Sequence, residues 1–190
     1  MPINKPRRSS LLLKTGAVTS IVDYDDGYYQ KGILRSFTIL TDGQYSGTTS
    51  LILNDKTDNH SNACVLDNNT GLMWSRVAVL TIGPNNNGTL PWTTDGNGDG
   101  IYPLVAVANS SALAGYSDWR IPNLMELFSI FKVGGADTTT FPSYPTAAPT
   151  WTSTSIHNFT SVAGVINPSN GFPGNSTKTN NNRCLLVRGG

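Results

Sequence analysis

The stretch Gly115-Tyr116-Ser117-Asp118-Trp119-Arg120-Ile121-Pro122-Asn123 constrains the fold of this chain more than any other, because it joins two helical patterns that cannot merge. Upstream, Leu104 to Ala114 carries apolar side chains at Leu104, Val105, Ala108 and Ala112, and Gly115 stands where a left-handed residue ends a helix. Downstream, Asn123 and Glu126 have the spacing of a capping box, in which each side chain takes the backbone N–H of the other. Leu124, Leu127, Phe128 and Phe131 then fall at i, i+3, i+4 and i+7, which predicts one buried face on a helix running to about Phe131. Pro122 lacks an N–H and disfavours a helical Ile121, so the two helices stay separate. The linker between them is held at both ends, with Trp119 available for the core.

The remainder reads as β structure and loop. The chain has 190 residues, enough for one domain with a real core plus an arm. Only 13% are charged, while Gly, Ser, Thr and Asn are abundant, a mixture that suits a loop-rich extracellular or virion protein more than a helical cytosolic enzyme. The net charge of +1 conceals an asymmetry: Lys5, Arg7, Arg8 and Lys14 make residues 1–14 a basic extended arm, and the rest is mildly acidic. Residues 15–60 hold short β-like runs (Ala17 to Tyr24, Ile33 to Leu40, Thr48 to Leu53) separated by turn signals, a β-layer suited to attachment or oligomerisation. Residues 61–190 form the main domain. Within it, Val65 to Trp74 reads as a hairpin turned at Asn68-Asn69-Thr70-Gly71. Thr81 to Gly100 and residues 137–182 read as long loops, the second with only Asp137 and Lys178 charged. No apolar run approaches the roughly 18 to 20 residues of a membrane span. Met1 to Ser10 has no apolar segment of the secretory type, so no signal is expected.

Four separated segments carry a family resemblance. Asp67-Asn68-Asn69-Thr70-Gly71-Leu72-Met73-Trp74, then Gly115 to Pro122 with Glu126-Leu127, then Trp151-Thr152-Ser153-Thr154, and finally Arg183-Cys184-Leu185-Leu186-Val187-Arg188 occur in the order found in the Lcl C-terminal domain family, which this chain resembles over about residues 62 to 188. That family is similar to C-type-lectin-like domains and occurs in bacterial surface proteins and phage-encoded chains. The resemblance implies an α+β fold with two helices and short twisted antiparallel sheets. It makes Trp74, Trp119 and Trp151 core residues, and Asp118 beside Arg120 then reads as a structural ion pair. In such a fold the first and last strands lie side by side, which implies a Cys64–Cys184 disulfide; two buried free thiols are the equal alternative. The sugar-binding calcium motifs of true C-type lectins are absent.

Chemistry has few places to sit. Asp95, Asn97 and Asp99 in Asp95-Gly96-Asn97-Gly98-Asp99-Gly100 fit the first half of a calcium loop, whose alternate oxygens converge on a hard cation, but position twelve is Ala106 where an EF-hand has Glu. The bland alternative is a polar turn. Tyr144, His157, Phe159 and Phe172 in the late loops are candidates for stacking on a sugar or anchoring a protein partner, with packing as the competing reading. Neither His60 nor His157 sits in a metal-ligand motif, nucleophile and phosphate-binding motifs are lacking, and Glu126 is the sole glutamate, so no enzyme is expected. Four charges without interleaved aromatics are a poor nucleic-acid surface, and docking of the arm onto an acidic neighbouring protein fits better. The expected function is a non-enzymatic phage virion component, a capsid decoration or part of a tail or fibre. It would be a homo-oligomer joined to other virion proteins. The rival expectation is a bacterial surface adhesin recognising a glycan or protein through residues 141–182.

Overall fold

A computed structural model describes residues 33–40, 64–75, 89–93, 100–110, 112–131, 137, 139–141 and 148–189. It has an α+β architecture of two antiparallel sheets and two helices among the described residues. The first sheet has the order β1 (Phe37–Ile39), β2 (Cys64–Asp67), β3 (Met73–Ser75), β7 (Val187–Arg188), with every neighbouring pair antiparallel. The second is β4 (Thr150–Ile156), β5 (Phe159–Ile166), β6 (Pro173–Thr177). Between them in sequence lie α1 (Ile101–Ser110), a 3-10 turn (Leu113–Gly115) and α2 (Leu124–Ile130).

The hairpin forms where the sequence places it. Gly71 supplies the left-handed residue at φ 75°, and Asp67 closes the turn by accepting from the Asn69 N–H and the Thr70 hydroxyl. Of the β-like runs in residues 15–60, only 33–40 is described. It joins the main sheet through β1, and Phe37 and Ile39 share the inward face as their alternation requires. Arg35 ties this segment to α2 by donating to the Ser129 and Phe131 carbonyls. Burial of its guanidinium lowers the Arg35 pKa, against a smaller opposing pull from Asp67.

Both helices depart from expectation in ways with local causes. α1 begins at Ile101, three residues early, because Pro103 falls in the first turn, where a missing N–H leaves no helical bond unmade. It ends at Ser110, short of Ala114, since Ala112 and Ala114 adopt left-handed φ of 49° and 54°. Gly115 is left-handed as expected, at φ 80°. In α2 the capping box is complete: Asn123 Oδ1 accepts the Glu126 N–H at 2.9 Å and Glu126 Oε2 accepts the Asn123 N–H at 2.8 Å. Its buried face is Leu127, Ile130 and Phe131 with Leu124 at the margin, while Phe128 faces solvent beside Met125.

The second sheet replaces the loop expected over residues 137–182. Its inner half is buried at Thr150–Thr152 and Ala163–Ile166, while the β4–β5 hairpin projects into solvent from His157 to Ser161. Thr152 is fully buried because its hydroxyl donates to the Gly164 carbonyl at 2.8 Å. A Cβ on Gly164 would stand 2.9 Å from that hydroxyl, so glycine is needed there for room.

Two buried clusters fill the body. One gathers Ile101, Leu104, Leu113, Trp119, Trp151 and Leu186 around α1; the other gathers Val65, Trp74, Leu127, Phe141 and Leu185 around α2. Cys64 and Cys184 are both free and buried, so of the two alternatives the structure has the thiols. The first and last strands of residues 61–190 do not lie side by side as expected: β7 pairs with β3, which intervenes between it and β2. Burial raises both thiol pKa values, that of Cys64 to about 12 against a smaller opposing pull from Arg188, which keeps them protonated and poorly nucleophilic.

Candidate functional site

The helix junction is bonded to both helices and to one strand of each sheet. Its backbone is bonded on both sides: Arg120 and Val187 exchange two hydrogen bonds of 2.9 Å, and the Ser153 N–H donates to the Pro122 carbonyl at 2.8 Å. The junction thus links β7 of one sheet to β4 of the other. Trp119 is 2% exposed, and its indole N–H donates to the Leu113 carbonyl at 2.8 Å. Asn109 in α1 grips the same residue by its backbone, accepting its N–H at 2.7 Å and donating to its carbonyl at 2.9 Å.

The ion pairs differ from the Asp118–Arg120 pair expected from sequence. Arg120 pairs in a bidentate fork with Glu126, at 2.8 and 2.7 Å, and also donates to the Gly189 carbonyl. Asp118 pairs instead with Arg188, which approaches from β7 and also stacks over the Tyr116 ring at 3.6 Å. The Arg188 hydrogen bond, outweighing a small burial effect, holds the Asp118 carboxyl below its ordinary range. For Glu126, burial pushes the pKa up, but the Arg120 bonds and charge together with the Asn123 N–H bring it below its ordinary value. The Glu126 bonds in turn raise the Arg120 pKa.

A carboxyl whose folded pKa is depressed binds its proton less readily folded than unfolded, so its stabilisation is present above the ordinary carboxyl range. That stabilisation is lost as pH falls through the lowered folded value. Melting temperature measured from pH 6 downward is therefore expected to fall below about pH 4.5, and Glu126→Gln should flatten part of this dependence. An equally steep profile in the variant would show that the Arg120–Glu126 fork contributes nothing.

Against this junction lies an open groove of about 440 Å³. Tyr102 and Val105 form its α1 wall, Arg120 and Ile121 come from the linker, Asn123 and Glu126 from the start of α2, and Ser153 from β4. Tyr102 is 46% exposed yet fixed in place: its ring meets Trp92 edge to face at 5.1 Å, and the Trp92 indole N–H donates to the Thr152 carbonyl. Lys178 caps the Trp92 ring at 4.1 Å. Partial burial raises the Tyr102 pKa, so the phenol keeps its proton at neutral pH.

The sequence-based site residues are distributed unevenly around this groove. Trp74 and Trp151 are fully buried in the two clusters, and the Trp151 indole donates to the Leu90 carbonyl at 2.7 Å. His157 and Phe159 sit together at the exposed tip of the β4–β5 hairpin, where Asn158 takes the left-handed φ of 65°. Phe172 lies at the other end of β5, opposite Asn167, so about eight residues at roughly 3.3 Å each separate it from Phe159. These aromatics do not form one surface. The calcium candidates Asp95, Asn97 and Asp99, the aromatic Tyr144 and the arm residues Lys5, Arg7, Arg8 and Lys14 lie outside the described residues. Among the described residues, no three His, Cys, Asp or Glu side chains are grouped to hold a metal, and no helix is long and apolar enough to cross a membrane. Sequence reasoning missed Tyr102, Asn109 and Ser153. Of these only Ser153 carried a signal, its place in the segment Trp151-Thr152-Ser153-Thr154.

No curated protein matches the chain. The model of the Lcl C-terminal domain matches residues 63–188, which includes the hairpin, the junction, all of the second sheet and the closing strand. With about two thirds of its length so matched, this chain belongs to the Lcl C-terminal domain family.

Proposed function

We propose that the chain is a non-enzymatic structural protein of a phage particle, a capsid decoration or a tail or fibre component, displaying a C-type-lectin-like domain. One observation carries this reading: the charged side chains of the family segments serve shape. Arg120 and Glu126 lock the helix junction, and Asp118 and Arg188 lock the closing strand. The sheet beside them exposes mostly Ser, Thr, Asn and Gly and has no charged residue in any of its three strands, which suits a rigid outward face. The basic leader with Lys5, Arg7, Arg8 and Lys14 supplies attachment to an acidic neighbour in the particle, and self-association completes the assembly. Deleting residues 1–14 is expected to abolish incorporation into particles while leaving the melting temperature of the chain unchanged. Incorporation at the full level would overturn the proposal.

A second reading, a receptor-binding module at a bacterial surface, is favoured by Phe159, which is 62% exposed at a projecting hairpin tip next to His157. Phe159→Ala would then weaken capture of the receptor without lowering stability.

A further inference from the structure

We infer that β6, the free edge of the second sheet, is a two-fold interface that pairs antiparallel with β6 of a second copy of this chain. The inference deepens the self-association included in the proposed function by assigning its surface, and it rests on that part of the reading alone. β6 stands last in the order β4, β5, β6, so one side of its backbone has no strand beside it among the described residues. The register shows which groups face that side. In an antiparallel ladder directly opposed residues share the hydrogen bonds, and bonded pairs alternate with non-bonded ones. The Asn167 N–H donates to the Phe172 carbonyl at one end, and the Lys178 N–H donates to the Ser161 carbonyl at the other, both at 2.9 Å. Phe172, Gly174, Ser176 and Lys178 therefore bond toward β5. Pro173, Asn175 and Thr177 turn their backbone groups outward.

These three residues form a pattern that complements itself. Asn175 offers both an N–H and a carbonyl. Pro173 offers a carbonyl but has no N–H, and Thr177 offers an N–H while its carbonyl already accepts the Asn180 N–H at 2.8 Å. A two-fold axis through Asn175 sets it against the partner's Asn175 with two mutual bonds, and sets Thr177 against the partner's Pro173. There the Thr177 N–H donates to the proline carbonyl, and the missing proline N–H faces the one carbonyl that is already satisfied. No donor or acceptor is stranded. A foreign strand would bring an ordinary carbonyl opposite Pro173 and an ordinary N–H opposite Thr177, and would leave groups short of partners. The same two residues thus restrict pairing to one register. Charge agrees with a second copy, since no residue of β6 is charged and the axis brings no like charges together, whereas edges that resist pairing often carry lysine. Alternation puts Phe172 and Lys178 on one face. The two-fold sets Phe172, which is 61% exposed, opposite the partner's Lys178. A five-residue strand buries little area, so the pair belongs to the weak, concentration-dependent class.

Sedimentation equilibrium of the full chain at concentrations up to about 1 mM tests the association, and a reversible dimer is expected. Asn175→Pro deletes only an outward N–H, at a kind of position where an edge strand tolerates proline. It is expected to raise the dimer Kd about tenfold or more, and Asn175→Lys, which sets two cations across the axis, is expected to do the same. Melting curves identify the folded variants. Asn175→Cys places two thiols on Cα atoms about 5.5 Å apart, within disulfide reach. It is expected to cross-link on mild oxidation, while Met125→Cys on α2 is not; Cys64 and Cys184 are buried and do not compete. The inference is overturned if the chain is monomeric throughout this range, if the folded Asn175 variants associate as the parent does, or if Asn175→Cys cross-links no faster than Met125→Cys. Association that survives the variants removes this surface and leaves self-association standing. Particle incorporation without residues 1–14 bears only on attachment by the arm, so the two failures are told apart.

Discussion

Replacing Trp119 by Ala is expected to cost about 3–5 kcal/mol of stability, which for a domain of this size lowers the melting temperature by roughly 6–20 °C. The indole is 2% exposed and lies in the cluster with Ile101, Leu104, Leu113 and Trp151, so its removal leaves a cavity that two helices and a sheet would have to collapse to fill. It also leaves the Leu113 carbonyl without the indole N–H that reaches it at 2.8 Å. Trp119→Phe separates the two contributions, since it keeps most of the buried area and loses only the bond, and is expected to cost about 1–3 kcal/mol. Chemical denaturation of the three proteins measures both. A loss below about 1 kcal/mol for Trp119→Ala would mean that the tryptophan is not part of the core.

Asn109→Ala is expected to cost about 2 kcal/mol, although the removed side chain is only half-buried and touches no ligand. The amide acts as a clip: its oxygen accepts the Trp119 N–H at 2.7 Å and its nitrogen donates to the Trp119 carbonyl at 2.9 Å. Together they satisfy both backbone groups of Trp119. Truncation leaves both backbone groups without that partner, and partial access of water keeps the cost near the lower end for two groups. Asn109→Asp keeps the acceptor and loses the donor, so about half the effect should return on denaturation of that variant. Equal stability of Asn109→Ala and the parent would show that the linker is held by Trp119 burial and the Arg120–Val187 bonds alone.

What was legible in the sequence was local. The capping box at Asn123 and Glu126, the turn at Gly71 and the left-handed Gly115 each depend on a few consecutive residues, and each forms as its spacing requires. The expected helix began at Leu104, the first residue of its apolar pattern, whereas α1 begins at Ile101, since a first-turn proline such as Pro103 costs a helix little. Phe128 was assigned to the core because one apolar stripe can be drawn through it. A seven-residue helix does not fix its own rotation, and contacts with the sheets gave the place to Ile130.

Pairings over long separations were the least legible. Asp118 and Arg120 are two residues apart in sequence, but the better-oriented partners are Arg188, 70 positions away, and Glu126, brought round by the helix cap. The three-stranded sheet was read as loop because its Ser, Thr, Asn and Gly content was weighed more heavily than its pattern. Thr is β-branched and favours strands, and Thr150, Trp151 and Thr152 are buried at the start of β4. The groove itself was invisible in one dimension, since its walls come from Tyr102, Arg120, Asn123 and Ser153 on four separate elements.

Amide hydrogen exchange at the junction tests most directly whether it is the architectural centre of the domain. The N–H groups of Arg120, Val187, Trp151 and Ser153 all donate to backbone carbonyls across element boundaries. They are expected to exchange only through global unfolding, with one common free energy equal to that from denaturation. Exchange of the Arg120 and Val187 amides at the rates of the exposed hairpin tip at His157 and Asn158 would contradict a locked junction.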